Sequence, residues 1–525
     1  LVTSESEIEE STAPSAEPVS WGRRISILAS IHPDAPAIHF SPAGGPERIV
    51  TWQELDRTSN RWARRFQELG LDETGLLMIA LPNCPEHYFA TYAGWKLGAL
   101  VLPTRSNLPP AERDQILEVA NPALVVGTWE GIAYPQVSPD ELHALGDYSD
   151  EPLSDKIPQP GKAIGSGGST GRSKVIVDPK PMAAIPGELA RIHWRKGLIP
   201  RQIQLVTGAL YHNSPFTWSH FGLFEDHTLI LLDRFDAARA VDLIERYRVN
   251  FAFLAPTMMK RIIDLPDVHE RDFSSLNRIF QTSAPCPPWL KRAFMDLIGP
   301  EKLFESFGSS EAVGSCSITG PEWLEHPGSV GRPQNAVLKI LDENFQEVQT
   351  GTVGEIFMRP LNTDEPTYYY IGSPPAKTSP EGLISVGDMG WVDEEGYLYL
   401  ADRRADLIIS GGANIYPAEV EAVLSQHPEV VDVVVVGVPD DEWGKRVHAI
   451  IHPRDINNRP SISDLDAWTR QHISSYKAPK SYEFMHELPR DGAGKIRRTQ
   501  LAAERAEGGG GTIRSVRDLI QSESS

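Results

Sequence analysis

Short apolar runs recur along this chain, and between most of them lies a stretch with helical spacing. LLMIALPN (76–83), ALVLPT (99–104), ALVVGT (123–128), IQLVTG (203–208), LILL (229–232), FAFLAP (251–256) and LNRIFQT (276–282) read as short buried strands. The text between them is helical. In TWQELDRTSNRWARRFQELG (51–70), Leu55, Trp62, Phe66 and Leu69 recur at the α-helical period, Thr51 stands as N-cap and Gly70 closes the segment. A further helix is expected through Tyr88–Leu97. Such alternation predicts α/β layers with partly parallel sheets. After about residue 335 the texture changes. LKILDEN, GEIFMRP and EEGYLYLADRRADLII read as hairpin-linked strands with turns at Asp342-Glu343 and Glu395-Gly396. From Ala405 a compact segment follows, with a helix from Pro417, strands at 430–438 and near 447–452, a helix from Ser463 and a loop-helix at 489–506. The fold class expected is therefore α/β. A large N-terminal domain of layered sheets plus a β-rich subdomain (19–401) precedes a small α+β domain (402–507), with tails at 1–18 and 508–525 expected to be loose.

A chain of 525 residues suits about three folding units, or one large unit and a small one. With 50 basic against 71 acidic residues it carries a formal charge of −21 and no basic stripe, which excludes duplex nucleic acid as a partner. Three scattered cysteines (Cys84, Cys286, Cys316) exclude a disulfide framework and a Cys-type zinc site. The longest apolar run, Val433 to Val438, is far short of a membrane span, and no export signal opens the sequence, so a cytoplasmic protein is expected. A monomer and a homodimer are both compatible with the sequence.

Five segments could carry chemistry. Gly165-Ser-Gly-Gly-Ser-Thr-Gly-Arg-Ser-Lys174 can wrap phosphate oxygens with backbone N–H groups and hydroxyls, or serve as a flexible linker. It departs from the P-loop pattern, because two residues separate Gly171 from Lys174, and Thr170 stands where a dinucleotide fingerprint has its third Gly. In Phe307-Gly-Ser-Ser-Glu311 the ring can stack on a base and the carboxylate can hold Mg²⁺, or the segment is an ordinary capped helix start. Asp388, with Arg403 after it, could meet two ribose hydroxyls or form a surface ion pair in a hairpin. Gly411-Gly412 is a turn running into the Pro417 helix. Lys495 lies at the tip of a Gly loop, either functional or merely a basic surface turn.

In this order and spacing, the segments resemble the adenylate-forming superfamily of acyl-CoA synthetases, luciferases and peptide-synthetase adenylation domains, over about residues 20–505. Its phosphate loop, roughly T-S-G-T-T-G-x-P-K, matches Ser166 to Lys174 with Gly167 for Ser, Ser169 for Thr and Ser173 for Pro. Its Y-G-x-T-E matches Phe307, Gly308, Ser309, Ser310 and Glu311. The resemblance implies ATP, Mg²⁺ and coenzyme A as cofactors and a small carboxylic acid as substrate. Ser166, Gly168, Ser169, Thr170, Gly171 and Lys174 would surround the phosphates. Phe307, Gly308 and Ser310, with Ser283, Ala284 and Pro285, would flank adenine. Asp388 and Arg403 would take the ribose, and Glu311 with Thr170 the metal. Lys495 would act in adenylation, after which the small domain would rotate and bring Gly411 and Gly412 to a CoA channel. The usual hinge position is Ala405, where the family commonly has Asp or Lys.

His212, in Leu-Tyr-His-Asn, matches the family motif that follows the phosphate loop, and is either an active-site residue or a core imidazole. No acid accompanies it, so an amino-acid substrate is not expected. The aromatic segment around it makes His212, Asn213, Phe216, Trp218 and Ser309 candidates for an apolar acid pocket, with core filling as the alternative for most of the rings. Tyr-His-Asn-Ser-Pro-Phe together with Gly-Gly-Ser-Thr-Gly-Arg resembles the bile-acid and terpenoid-acid CoA ligase branch. Two other functions fit the same motifs: an acyl-AMP ligase that loads a carrier protein, and a degenerate homologue that only binds nucleotide.

Overall fold

The computed structural model describes residues 17–167, 173–361, 365–403, 406–410, 413–440, 443–491 and 495–506. The chain groups into two compact units. One is Leu1–Ser283 with Phe294–Val313 and Asn362–Pro375; the other is Ala284–Ala293, Gly314–Leu361 and Ala376–Ser525.

The first unit is built on two sheets. In one, Leu303–Gly308, Arg278–Gln281, Phe251–Leu254, Ile203–Val206, Thr228–Leu232 and Pro36–Ser41 lie side by side and parallel, and Arg48–Thr51 closes the edge antiparallel. The other sheet has seven strands, in the order Tyr369–Ile371, Ser173–Asp178, Lys162–Gly167, Leu100–Pro103, Leu76–Ile79, Leu124–Val126 and Gln136–Val137. Its last four are parallel, whereas Lys162–Gly167 and Ser173–Asp178 form an antiparallel pair with Tyr369–Ile371 on its outer edge. The predicted strands are thus present, most of them in the interior of their sheets. The helix Trp52–Glu68 forms as its spacing predicts. Thr51 accepts from the Glu54 N–H at 3.1 Å, and Trp52, Leu55, Trp62, Ala63 and Phe66 are buried. Each large apolar side chain removed from water contributes about 1.5–3 kcal/mol.

The second unit contains an antiparallel sheet of Ala336–Leu341, Gly354–Pro360, Ile384–Val392, Leu398–Arg403, Ser329–Gln334 and Ser315–Thr319, the β-rich part that the hairpin text predicts. Toward its C-terminal end lies a three-stranded sheet, Val430–Asp440, Gly444–Pro453 and Ser481–Phe484. Here the unbroken valine run has its cause. Val433 and Val435 pack with Val420, Leu424, Val447 and Leu465 on one face, while Val434, Val436 and Val438 pack with Ile450, Leu488 and Leu501 on the other. A strand buried on both faces has no polar alternation. Among the described residues no helix is long and apolar enough to cross a membrane.

Two features of the core are directly testable. Gly331 has φ +95°, and a Cβ there would lie 1.9 Å from the Ser317 carbonyl oxygen, so Gly331→Ala combines left-handed strain with a backbone clash. It should cost about 2–5 kcal/mol in chemical denaturation. Separately, burial lowers the pKa of both His87 and His220 to about 3. His220 Nδ1 donates to the Phe216 carbonyl at 2.7 Å, which fixes the neutral tautomer. Both imidazoles stay neutral when folded, whereas the unfolded chain protonates them near pH 6.5. Their contribution is complete above pH ~6.5 and is lost as the pH falls toward 3, at about 1.4 kcal/mol per pH unit for each. Urea midpoints should fall between pH 6.5 and 5, and His87→Phe should flatten that slope by one proton; equal slopes in the two proteins would contradict this account.

Candidate active site

The strand Leu303–Gly308 is the last of the run of parallel strands and delivers Glu311 just beyond its tip. A turn in which the Ala312 N–H donates to the Ser309 carbonyl at 3.1 Å, with Ala312 at φ +53°, directs the carboxylate. The Thr367 hydroxyl donates to the Glu311 carbonyl oxygen at 2.8 Å and secures the same turn.

Three side chains converge on that carboxylate. Lys174, from the strand that leaves the glycine-rich segment, brings Nζ to 3.3 Å from Glu311 Oε1. The Tyr370 hydroxyl donates to the same oxygen at 2.6 Å. The Lys174 ammonium also lies over the Tyr370 ring, 4.0 Å from its centroid, a favourable cation–π position. Burial opposes ionisation of Glu311, but the Tyr370 hydrogen bond and the Lys174 charge outweigh it and hold the pKa below the usual carboxylate value. The tyrosine responds in the opposite sense: burial and the neighbouring anion push its phenol well above its ordinary pKa. The group is thus a carboxylate that is ionised at neutral pH, with a cation at hand. Tyr370 reaches it because Tyr369–Ile371 pairs with Ser173–Asp178, setting Tyr370 opposite Ile176. The sequence reading assigned no role to Tyr370 or Thr367; the β-prone run Thr-Tyr-Tyr-Tyr-Ile (367–371) is the signal that marks them.

The other candidates fall as follows. Phe307 and Gly308 end the strand Leu303–Gly308, Phe307 half-buried and Gly308 exposed; Ser310 follows, also half-buried. Ser309 has a buried Oγ with no hydrogen-bond partner among the described residues. Ser283 sits at φ +80°, a strained conformation for a residue with a Cβ, and Ala284 and Pro285 follow it. His212 is the N-cap of the helix Asn213–Phe224, and its ring lies 4.3 Å from that of Tyr211. Asn213 opens the helix, and its Oδ1 accepts from Lys162 and Thr217. Phe216 is buried against His87, Trp95 and His220. Trp218 packs into a second aromatic group with Phe251 and Phe280. Both rings take the core role that their composition left open.

In the second unit, the ladder sets Asp388 directly opposite Arg403 on neighbouring strands. Lys495 is exposed. Its N–H donates to Asp491 Oδ1 at 2.9 Å, and its carbonyl accepts from the Asp491 N–H at 2.8 Å, which pins the base of the loop. Arg490 anchors that base through Asp432, with contacts at 2.6 and 2.7 Å. Gly168, Ser169, Thr170, Gly171, Ala405, Gly411 and Gly412 lie outside the described residues, as do both expected tails except Glu17 and Pro18; Ser166 and Arg403 are described in their backbone alone.

Comparison with known proteins bears on this arrangement. Residues 28–363 match the family model of AMP-binding enzymes, and residues 419–495 match the AMP-binding enzyme C-terminal domain. The fatty acid–[acyl-carrier-protein] ligase of Streptomyces coeruleorubidus is 30% identical over 86% of this chain and 91% of its own. The feruloyl-CoA synthase of an Amycolatopsis species is 30% identical over 91% of this chain and 96% of its own. The o-succinylbenzoate CoA synthetase of Bacillus subtilis, solved in complex with its acyl-adenylate intermediate, matches with a TM-score of 0.77 at 25% identity, over 92% of this chain and 98% of that one. With one family model spanning most of the chain and a second following it in order, the protein belongs to the AMP-binding enzymes, the adenylate-forming superfamily that its motifs resemble.

Proposed function

We propose that this protein activates a carboxylic acid with ATP, releasing pyrophosphate, and transfers the resulting acyl group from its adenylate to the thiol of coenzyme A. The observation that carries the reading is the Glu311 carboxylate held ionised between Lys174 and Tyr370, beside the strand that leaves the glycine-rich segment. The family membership and relatives named as CoA ligases support it.

The donor set suits Mg²⁺: a hard carboxylate oxygen, kept ionised, with a cation as its present counter-charge. When bound, the metal would neutralise phosphate charge. Lys174, whose ammonium now lies against Glu311 and over the Tyr370 ring, is the cation closest to that carboxylate and would pair with phosphate oxygens. Phe307 offers a ring for adenine, and Asp388 a carboxylate for a ribose hydroxyl. Lys495, a compact point charge on an anchored loop, acts where negative charge gathers between the attacking carboxylate and the α-phosphate. In this reading segment 402–507 turns about Ala405 between the two half-reactions, with Gly411 and Gly412 serving the second. Atoms balance simply: the acid oxygen forms a bond to the α-phosphorus as pyrophosphate leaves, then the thiolate displaces AMP at the carbonyl. A carrier-protein thiol is the alternative acceptor, favoured by the Streptomyces relative. Supplying free CoA or a holo-carrier to the preformed adenylate separates the two.

Glu311→Gln should lower the thermal unfolding temperature, because it leaves Lys174 without its counter-charge, and should weaken pyrophosphate release most at limiting Mg²⁺, since an amide is a poorer ligand for this ion. Unchanged Mg²⁺ dependence would remove Glu311 from the metal's ligands. Lys495→Ala should slow adenylation by about 10²–10³, the cost of deleting one preorganised charge in the transition state. Thioester formation from supplied acyl-adenylate should continue, and equal slowing of both steps would refute the division of labour.

A further inference from the structure

Residues 367–371 reach Glu311 at two points, and the two contacts act on different parts of it. Thr367 is buried, and its hydroxyl donates to the Glu311 carbonyl oxygen at 2.8 Å, which fixes the backbone from which the carboxylate projects. Three residues on, the Tyr370 hydroxyl donates to Glu311 Oε1 at 2.6 Å. The Lys174 ammonium meets the same atom at 3.3 Å, so both of these side-chain contacts to the carboxylate fall on Oε1.

Strand pairing does not account for the phenol. Tyr369–Ile371 joins Ser173–Asp178 through its backbone, and the neighbouring Tyr369 is 44% exposed on the opposite face. The Tyr370 ring lies under the Lys174 ammonium, 4.0 Å from centroid to nitrogen, and a phenylalanine ring would serve the ladder and the cation as well. Charge balance does not call for a phenol either, since Lys174 already gives the carboxylate its counter-ion. What the hydroxyl adds is direction. Two donors on one oxygen restrict the rotation of the carboxylate and leave Oε2 as the oxygen that shares in neither contact. This carboxylate stands beyond the C-terminal end of the last parallel strand, the end of an α/β sheet outside which ligands bind.

We propose that Tyr370 and Thr367 are positioning residues for the metal ligand of the reaction, holding Glu311 by Oε1 and by its backbone so that Oε2 is presented to a divalent cation. This rests on the acid-activating function and the metal role of Glu311 proposed above. It adds that the carboxylate serves as a one-oxygen ligand whose direction is set by a strand far along the chain. Outer partners of this kind orient ligating carboxylates, and loss of one typically costs about 10–100-fold in metal affinity.

The test uses the full chain with α,β-methylene-ATP and Mn²⁺ as the probe, its binding read by electron paramagnetic resonance, so that the measurement is independent of turnover. Tyr370→Phe keeps the ring and removes the hydroxyl. Thr367→Val removes the other hydroxyl and Thr367→Ser retains it. The Kd for Mn²⁺ should rise about tenfold in Tyr370→Phe, rise less in Thr367→Val, and stay at the wild-type value in Thr367→Ser. In acid-dependent ATP–pyrophosphate exchange, the Mg²⁺ concentration giving half-maximal rate should rise in step, with the KM of the acid unmoved. A merely structural tyrosine predicts a lower melting temperature with an unchanged Kd for Mn²⁺, and that result overturns the proposal. Glu311→Gln is the control. If it raises the Kd and Tyr370→Phe does not, the metal role of Glu311 stands and only the positioning role falls. If it leaves the Kd unchanged, Glu311 is not a ligand and both fall. Should Tyr370→Phe not fold, Thr367→Val against Thr367→Ser decides by the same titration.

Discussion

An ammonium and a carboxylate 3.3 Å apart, both partly withdrawn from water, are the pair on which the candidate site depends. Either charge alone would be expensive at that depth. Together, with a phenol donating to the same oxygen, they form a group whose ionisation does not vary near neutral pH. The two sheets of the first unit supply the partners: one brings Glu311 at the tip of a parallel strand, the other brings Lys174 and Tyr370 from adjacent antiparallel strands. The fold thereby holds an ionised carboxylate and a cation side by side from two different sheets, which is the arrangement the proposed phosphoryl chemistry would draw on.

Local rules made much of this readable in advance. The Thr51 cap, the hairpins after residue 335 and the opposition of Asp388 and Arg403 follow from period, turn chemistry and order along the chain. The site's motifs were legible because they are contiguous: Lys174 closes one, and Glu311 closes another. Tyr370 was not, because its role depends on an edge strand far along the chain pairing with Ser173–Asp178. No local period announces which distant strand will cover an edge.

The aromatic segment shows where composition misleads. Phe216 and Trp218 lie two residues apart on one helix, so they point to different sides and join different cores: Phe216 meets the rings of His87 and Trp95, Trp218 those of Phe251 and Phe280. A pocket and a core ask for the same residue types, and sequence alone does not separate them. What separates them here is burial: Phe216 and Trp218 are both withdrawn from water among other rings, while Asn213 and Thr217 meet Lys162 on another side of the helix.

Each unit fixes its own charged group with contacts internal to it. Glu311 is held by Tyr370, Lys174 and the Thr367 hydroxyl; Lys495 is carried on a loop pinned by Asp491 and by the Arg490–Asp432 pair. The positions of these groups are therefore settled when the units fold, not when substrate binds. A loop anchored at its base and exposed at its lysine loses little conformational entropy on engaging an anion, because only the side chain remains to be ordered. Arg490 and Asp432 hold the loop's base, so loosening them would widen the range of positions that the exposed Lys495 samples as well as lower stability.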